Sequence, residues 1–204
     1  TSDTHPNQTD WYQDRTAEFK WVVPAGFDSV LTAINNNDLG TPRVVYSPAI
    51  SKKIVKDLED GVWYFKVRAR KSGVLSPVST YIVRIDATIP EKKEVVFSYD
   101  NATNILNVAA EITDSTSGID YYELFVDGVL IKNIPAKEFV NGNYKAEFST
   151  PGEHSVTIIA FDHAGNSVES SGVFQVDASL SVMADSDAQL PEAELQSPLL
   201  ITIG

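Results

Sequence analysis

Apolar and polar residues alternate along most of this chain in short runs separated by Gly, Pro, Asn and Asp, and no long segment holds apolar residues at helical spacing. The pattern predicts an all-β protein. Phe19, Trp21 and Val23 alternate with Glu18, Lys20 and Val22 before Pro24, which predicts a strand with one buried face. Further strands are expected around Ser29 to Ile34, Arg43 to Tyr46, Lys53 to Leu58, Trp63 to Arg70 and Ser79 to Ile85. Beyond Asp86-Ala87-Thr88-Ile89-Pro90 the alternation restarts, with Leu106, Val108, Ala110 and Ile112 as one inward set and Tyr122, Leu124 and Val126 as another. Asp127-Gly128 and Asn141-Gly142 offer the positive φ that tight β-turns require.

A weak internal repeat divides the chain. Gly61 to Ala69 places Trp63, Phe65, Val67 and Ala69 on one face, and Gly152 to Ala160 repeats that register with His154, Val156, Ile158 and Ala160. Each run is followed by a glycine-containing turn, Lys71-Ser72-Gly73 in one and Asp162-His163-Ala164-Gly165-Asn166 in the other. The 204 residues suit two cores of about 90 residues each. The expected units are 1–86, 87–177 and a tail, 178–204.

Leu58-Glu59-Asp60-Gly61-Val62-Trp63-Tyr64-Phe65-Lys66-Val67-Arg68-Ala69 resembles the E–F corner and F strand of fibronectin type III domains, with Trp63 where tyrosine is usual. Asp114-Ser115-Thr116-Ser117-Gly118-Ile119 and Phe161-Asp162-His163-Ala164-Gly165-Asn166 are similar to segments of bacterial immunoglobulin-like repeats. The opening Thr4-His5-Pro6-Asn7-Gln8, Trp11-Tyr12 and Phe19-Lys20-Trp21, with the linker Asp86 to Pro90, looks like a module of large bacterial surface proteins. The first unit departs from the pattern at Lys71-Ser72-Gly73, where relatives often carry Asp and Asn. The resemblance implies two tandem antiparallel β-sandwich domains with an acidic C-terminal tail. It also implies a non-catalytic spacer or adhesion module at the cell surface, whose partners are neighbouring domains of the same chain and a surface protein or glycan. The competing implication is a carbohydrate-binding accessory module of a secreted carbohydrate-active protein.

The net charge of −12 and the scattering of the 16 basic residues argue against a nucleic-acid partner, because phosphate binding needs clustered Lys and Arg. The same charge repels anionic lipid headgroups and leaves calcium, basic partners or solubility as reasons for the carboxylates. Cysteine is absent, which removes disulfides and thiolate chemistry and is compatible with secretion. The chain opens on polar Thr1-Ser2-Asp3 without an apolar leader, and its start on Thr1 without Met is what a fragment of a longer protein is expected to show. Within the tail, Leu199-Leu200-Ile201-Thr202-Ile203 is too short to span a bilayer. Residues 178–204 read as an acidic linker, and their apolar ending reads equally as the start of a membrane anchor or further domain and as an edge strand that docks on a sandwich.

No catalytic signature is present: Gly-x-Ser-x-Gly, His-Glu-x-x-His, the phosphate loop and the dinucleotide fingerprint are all missing. Of the three histidines, His154 takes an inward strand register and reads as a satisfied core residue, while His5 and His163 read as exposed bystanders. Acidic residues at loops offer a different chemistry. Asp114 and Asp120 flank one loop of the second unit, Asp162 and Asn166 belong to another at the same pole, and Asp86 enters through the linker. Asp57, Glu59 and Asp60 of the first unit's E–F loop are expected to point toward the same junction. Such convergence supplies the six to eight oxygens that calcium prefers, with Asp86, Asp114 and Asp162 as the leading ligands. The alternative is that these Asp and Asn side chains bond their own turns. Trp21 and Trp63 read as core, whereas Tyr64 falls outward and Trp11 and Tyr12 lie in a polar arm. Those three rings fit either a glycan-stacking platform or packing by the arm and the neighbouring unit.

Overall fold

The structure, a computed structural model, describes residues 1–178, so the tail and its apolar segment Leu199 to Ile203 lie outside the described residues. It is all-β, with a single 3-10 turn at Ala136–Glu138. Strands up to Ile85 pair only with one another, and so do strands from Glu91 onward.

In the first sandwich, β1 (Trp11–Tyr12), β8 (Ser79–Ile85), β6 (Gly61–Lys71), β3 (Ser29–Asn35) and β4 (Val44–Tyr46) form one sheet in that order, and β7 (Val74–Leu75) adds to β6. The facing layer is only β2 (Ala17–Lys20) on β5 (Lys52–Val55). Phe19 and Phe65 meet face to face between the layers, centroids 4.1 Å apart, with Ala17, Leu58, Val83 and Ile85 buried around them. The strand expected to run on to Val23 ends at Lys20 instead. Trp21 N–H still bonds the Ser51 carbonyl at 3.0 Å, and the chain then enters the turn closed by Phe27 N–H on Pro24 O.

The N-terminal arm completes this thin layer. Thr1 and Lys20 exchange backbone bonds of 3.0 and 2.9 Å, and Ser2 bridges Phe19. The arm then crosses to the other sheet, where β1 runs parallel to the end of β8, with Trp11 beside Arg84 and Tyr12 beside Ile85. His5 is a correction to the sequence reading: it is 0% exposed, not a surface bystander. Its Nε2 lies 2.8 Å from the Asp14 carbonyl and its Nδ1 2.8 Å from Thr4 Oγ1, and its ring meets the Tyr12 ring edge-on at 4.7 Å. The Tyr81 hydroxyl donates to the His5 carbonyl at 2.9 Å across the sandwich.

In the second sandwich, β9 (Glu91–Asp100), β10 (Ile105–Thr113) and β13 (Asn143–Glu147) form one sheet with β10 central. β12 (Val129–Pro135), β11 (Ile119–Val126), β14 (Gly152–Asp162) and β15 (Ser167–Val176) form the other, in that order. The inward sets read from the alternation are all buried: Leu106, Val108, Ala110 and Ile112; Tyr122, Leu124 and Val126; Val156, Ile158 and Ala160. Asp127 and Gly128 take φ of 49° and 75° and close a two-residue turn between β11 and β12. Asn141 and Gly142, at 50° and 73°, turn the chain into β13. No helix among the described residues is long and apolar enough to cross a membrane.

Candidate metal centre at the junction

Where β8 ends, Ile85 hands the chain to Asp86, and Asp86 is bonded in every direction. Its N–H donates to the Tyr12 carbonyl of β1 at 2.9 Å. Its Oδ1 accepts from Thr88 N–H at 3.2 Å, its Oδ2 from Ser117 N–H at 3.1 Å, and its carbonyl from Asn166 Nδ2 at 3.0 Å. One residue thus joins the arm, the linker and two loops of the second sandwich, and its exposure is 0%.

Those two loops are shaped by their own aspartates. Asp114 Oδ1 accepts from the N–H groups of Thr116, Ser117 and Gly118 at 3.0, 2.8 and 2.8 Å, which folds the β10–β11 loop around one oxygen. Asp162 Oδ1 accepts from Ala164 and Asn166 N–H at 2.8 and 2.9 Å, and its Oδ2 from Asn166 Nδ2 at 2.8 Å. Gly165, at φ 85°, closes that β14–β15 turn. A Cβ there would stand 3.6 Å from Gln13 Nε2, so the arm of the first sandwich reaches this turn too.

The three carboxylates converge. One oxygen from each of Asp86, Asp114 and Asp162 lies within 4.8 Å of the others. Asp86 and Asp162 are 0% and 2% exposed, and among the described residues no Lys, Arg or His forms an ion pair with any of the three. Burial pushes the Asp86 carboxyl above its ordinary range; the bonds from Ser117 and Thr88 oppose this, and repulsion from Asp114 and Asp162 adds to it. Three carboxylates lie together without a cationic partner, and a positive ion among them would offset their mutual repulsion. Oxygen donors alone fit a hard divalent cation such as calcium. The Ser117 hydroxyl oxygen, within the β10–β11 loop, is buried without a partner. Nothing in the sequence marks Ser117 except its place in the Asp114 turn.

The remaining acidic candidates stand outside this three-carboxylate group. Asp60 caps the linker, accepting from Ala87 N–H at 3.1 Å and from the Thr88 hydroxyl while pairing with Arg15 at 2.9 Å. Asp57 is exposed at φ 56°, and Glu59 is exposed with its carbonyl bonded to Trp63 Nε1 at 2.8 Å. Asp120 is exposed, 3.4 Å from His163 Nδ1. Asn166 joins the group as an amide donor to Asp86 and Asp162. The three aromatic candidates are half-buried. The Arg84 guanidinium lies over the Trp11 ring at 5.7 Å, the Tyr12 hydroxyl donates to the Asn7 carbonyl at 3.1 Å, and Tyr64 sits between Asn35 and Ile82 on the outer sheet face.

No family model and no curated protein matches the chain. Solved structures do. The fibronectin(III)-like modules of Clostridium thermocellum CbhA are 21% identical, covering 87% of this chain and 93% of that one with a TM-score of 0.45. The FN1–FN3 domains of chicken CNTN1 are 15% identical over 86% of this chain and 66% of that one, TM-score 0.48. A two-domain fibronectin type III segment of chicken tenascin is 17% identical over 81% and 94%, TM-score 0.38. The chain resembles fibronectin type III modules. At these identities the likeness is one of fold.

Proposed function

We propose that this chain is a non-catalytic structural spacer of a larger extracellular, cell-surface protein, built of a unit 1–86 and a unit 87–177 and working beside neighbouring domains. Asp86 carries the proposal: one fully buried residue bonds the arm, the linker and both facing loops, so the two sandwiches share a packed joint instead of a free hinge. Pro90 fixes its own φ and biases Ile89 to an extended conformation, which shortens the free part of the linker further. In the same proposal calcium occupies the joint, with Asp86, Asp114 and Asp162 as its carboxylate ligands. The ion neutralises charge that the protein leaves without a basic partner.

Calorimetric unfolding of the protein in millimolar calcium and again in chelator tests both parts. Two transitions that rise and merge with calcium are expected. Transitions indifferent to calcium overturn the metal, and a hinge shown by scattering to sample many angles overturns the joint. Saturable glycan binding to Trp11, Tyr12 or Tyr64 would place the function in recognition instead.

A further inference from the structure

The connections that open β6 and β14 are built alike. In each, a glycine at strongly positive φ, Gly61 at 135° and Gly152 at 129°, is followed two residues later by a ring on the inner face. In each, a ring N–H reaches the carbonyl four residues back: Trp63 Nε1 to Glu59 at 2.8 Å, and His154 Nε2 to Thr150 at 2.9 Å. Indole has no second nitrogen. Imidazole does, and His154 Nδ1 lies 2.7 Å from Asp127 Oδ2 in the β11–β12 turn.

A carbonyl and a carboxylate only accept. Both nitrogens of His154 are therefore satisfied only when both carry protons, so the contacts define an imidazolium. His5 differs, because the Thr4 hydroxyl is able to donate to its Nδ1, so only its contact with the Asp14 carbonyl needs a ring proton. The His154 ring is 8% exposed, with Phe148 edge-on at 4.8 Å and Phe174 at 5.5 Å. Asp127 is the charged group that faces it. The β13–β14 connection offers the Thr150 carbonyl and Phe148, β15 offers Phe174, and Glu153 on its own strand is exposed on the opposite face. Asp127 also receives Ser155 N–H at 2.9 Å, and its own N–H donates to the Ser155 carbonyl at 3.0 Å.

We propose that the His154 imidazolium is a pH-sensitive clip: it ties the start of β14 to the β11–β12 turn and seats Phe174, and loss of its second proton loosens the pole where β15 ends. The bond to Asp127 holds the ring above its ordinary 6.5 against the opposing effect of burial, and the same bond holds the Asp127 carboxyl below its ordinary 3.8. Stabilisation by the raised histidine is complete below 6.5 and disappears as pH rises through its folded value. On the acid side it disappears as pH falls through the lowered Asp127 value. The clip is fully closed between ordinary carboxylate and ordinary imidazole titration and opens on the alkaline side.

Imidazole nitrogen NMR on the full chain reads the proton directly, and near pH 6 both His154 nitrogens should be protonated. The midpoint should lie above 6.5 and fall when Asp127→Asn removes the carboxylate. In calorimetry the transition of the second sandwich should drop by roughly 4 °C or more between about pH 6 and pH 9. His154→Trp, which copies the first sandwich, should abolish that drop; His5 and His163 remain in both proteins and cancel from the comparison. If His154→Trp does not fold, the Asp127→Asn midpoint decides. A neutral His154 ring near pH 6, an unmoved midpoint in Asp127→Asn, or an equal drop in His154→Trp overturns the proposal.

Discussion

The two sandwiches reach the same architecture with unequal means. The second sandwich faces a four-stranded sheet with a three-stranded one and fills the space from its own strands, with Leu106, Val108, Leu124, Val156 and Ile158 all at 0% exposure. The first faces its large sheet with only β2 and β5, and borrows the arm to close both the layer and the core. A small core that depends on a terminal segment should be the weaker partner, because the arm must be ordered at a conformational cost before its contacts form.

Five changes separate the sandwiches, in decreasing order of effect. Phe65→Ala, which removes one ring of the Phe19–Phe65 stack, should cost about 3–5 kcal/mol and abolish the first transition in calorimetry while sparing the second. Leu124→Ala should cost about 2–5 kcal/mol in the second transition alone, and a matching loss in the first would show that the two cores are not independent. His5→Ala removes a fully buried ring and its bonds to the Asp14 carbonyl and the Thr4 hydroxyl and should cost about 1–3 kcal/mol in urea unfolding of the first sandwich; an effect below half of that would mean the arm is decoration. Gly128→Ala, at φ 75°, should cost the second sandwich about 1 kcal/mol. The first sandwich joins β3 to β4 by the longer loop 36–43, where a one-residue insertion should shift stability by less than about 0.5 kcal/mol.

The second sandwich was the more legible from sequence, for a physical reason. Its strands alternate cleanly and its turns carry Asp127-Gly128 and Asn141-Gly142, so both period and reversal are written locally. The arm is not written locally. Tyr81 reaches the His5 carbonyl across 75 intervening residues' worth of fold, at a separation of 76, and no nearby residue announces a partner so distant. Thr4-His5-Pro6 therefore looked like polar surface. At the joint, strand direction told which loops share a pole, so Asp86, Asp114 and Asp162 followed from topology. Strand direction does not tell where a loop side chain turns: Asp60 turns in to cap Ala87, whereas Asp57 and Glu59 stay in solvent. Trp63 and His154 were matched by register alone, and the second ring nitrogen that distinguishes them has its partner on a different strand pair.

The pairing of β1 with β8 bears on how the first sandwich would behave under tension. The two segments run parallel, one near the start of the first sandwich and the other at its end, so a force drawing Trp11 and Ile85 apart slides them past each other along their length. The Trp11–Arg84 and Tyr12–Ile85 pairing, the Gln8 side-chain oxygen on Ile82 N–H at 2.8 Å, and the Asp86 bond to Tyr12 would then be loaded together instead of one after another. Strands loaded in shear share the force among their bonds, and a two-residue strand backed by a side-chain bond at one end and a buried aspartate at the other is a short lap joint.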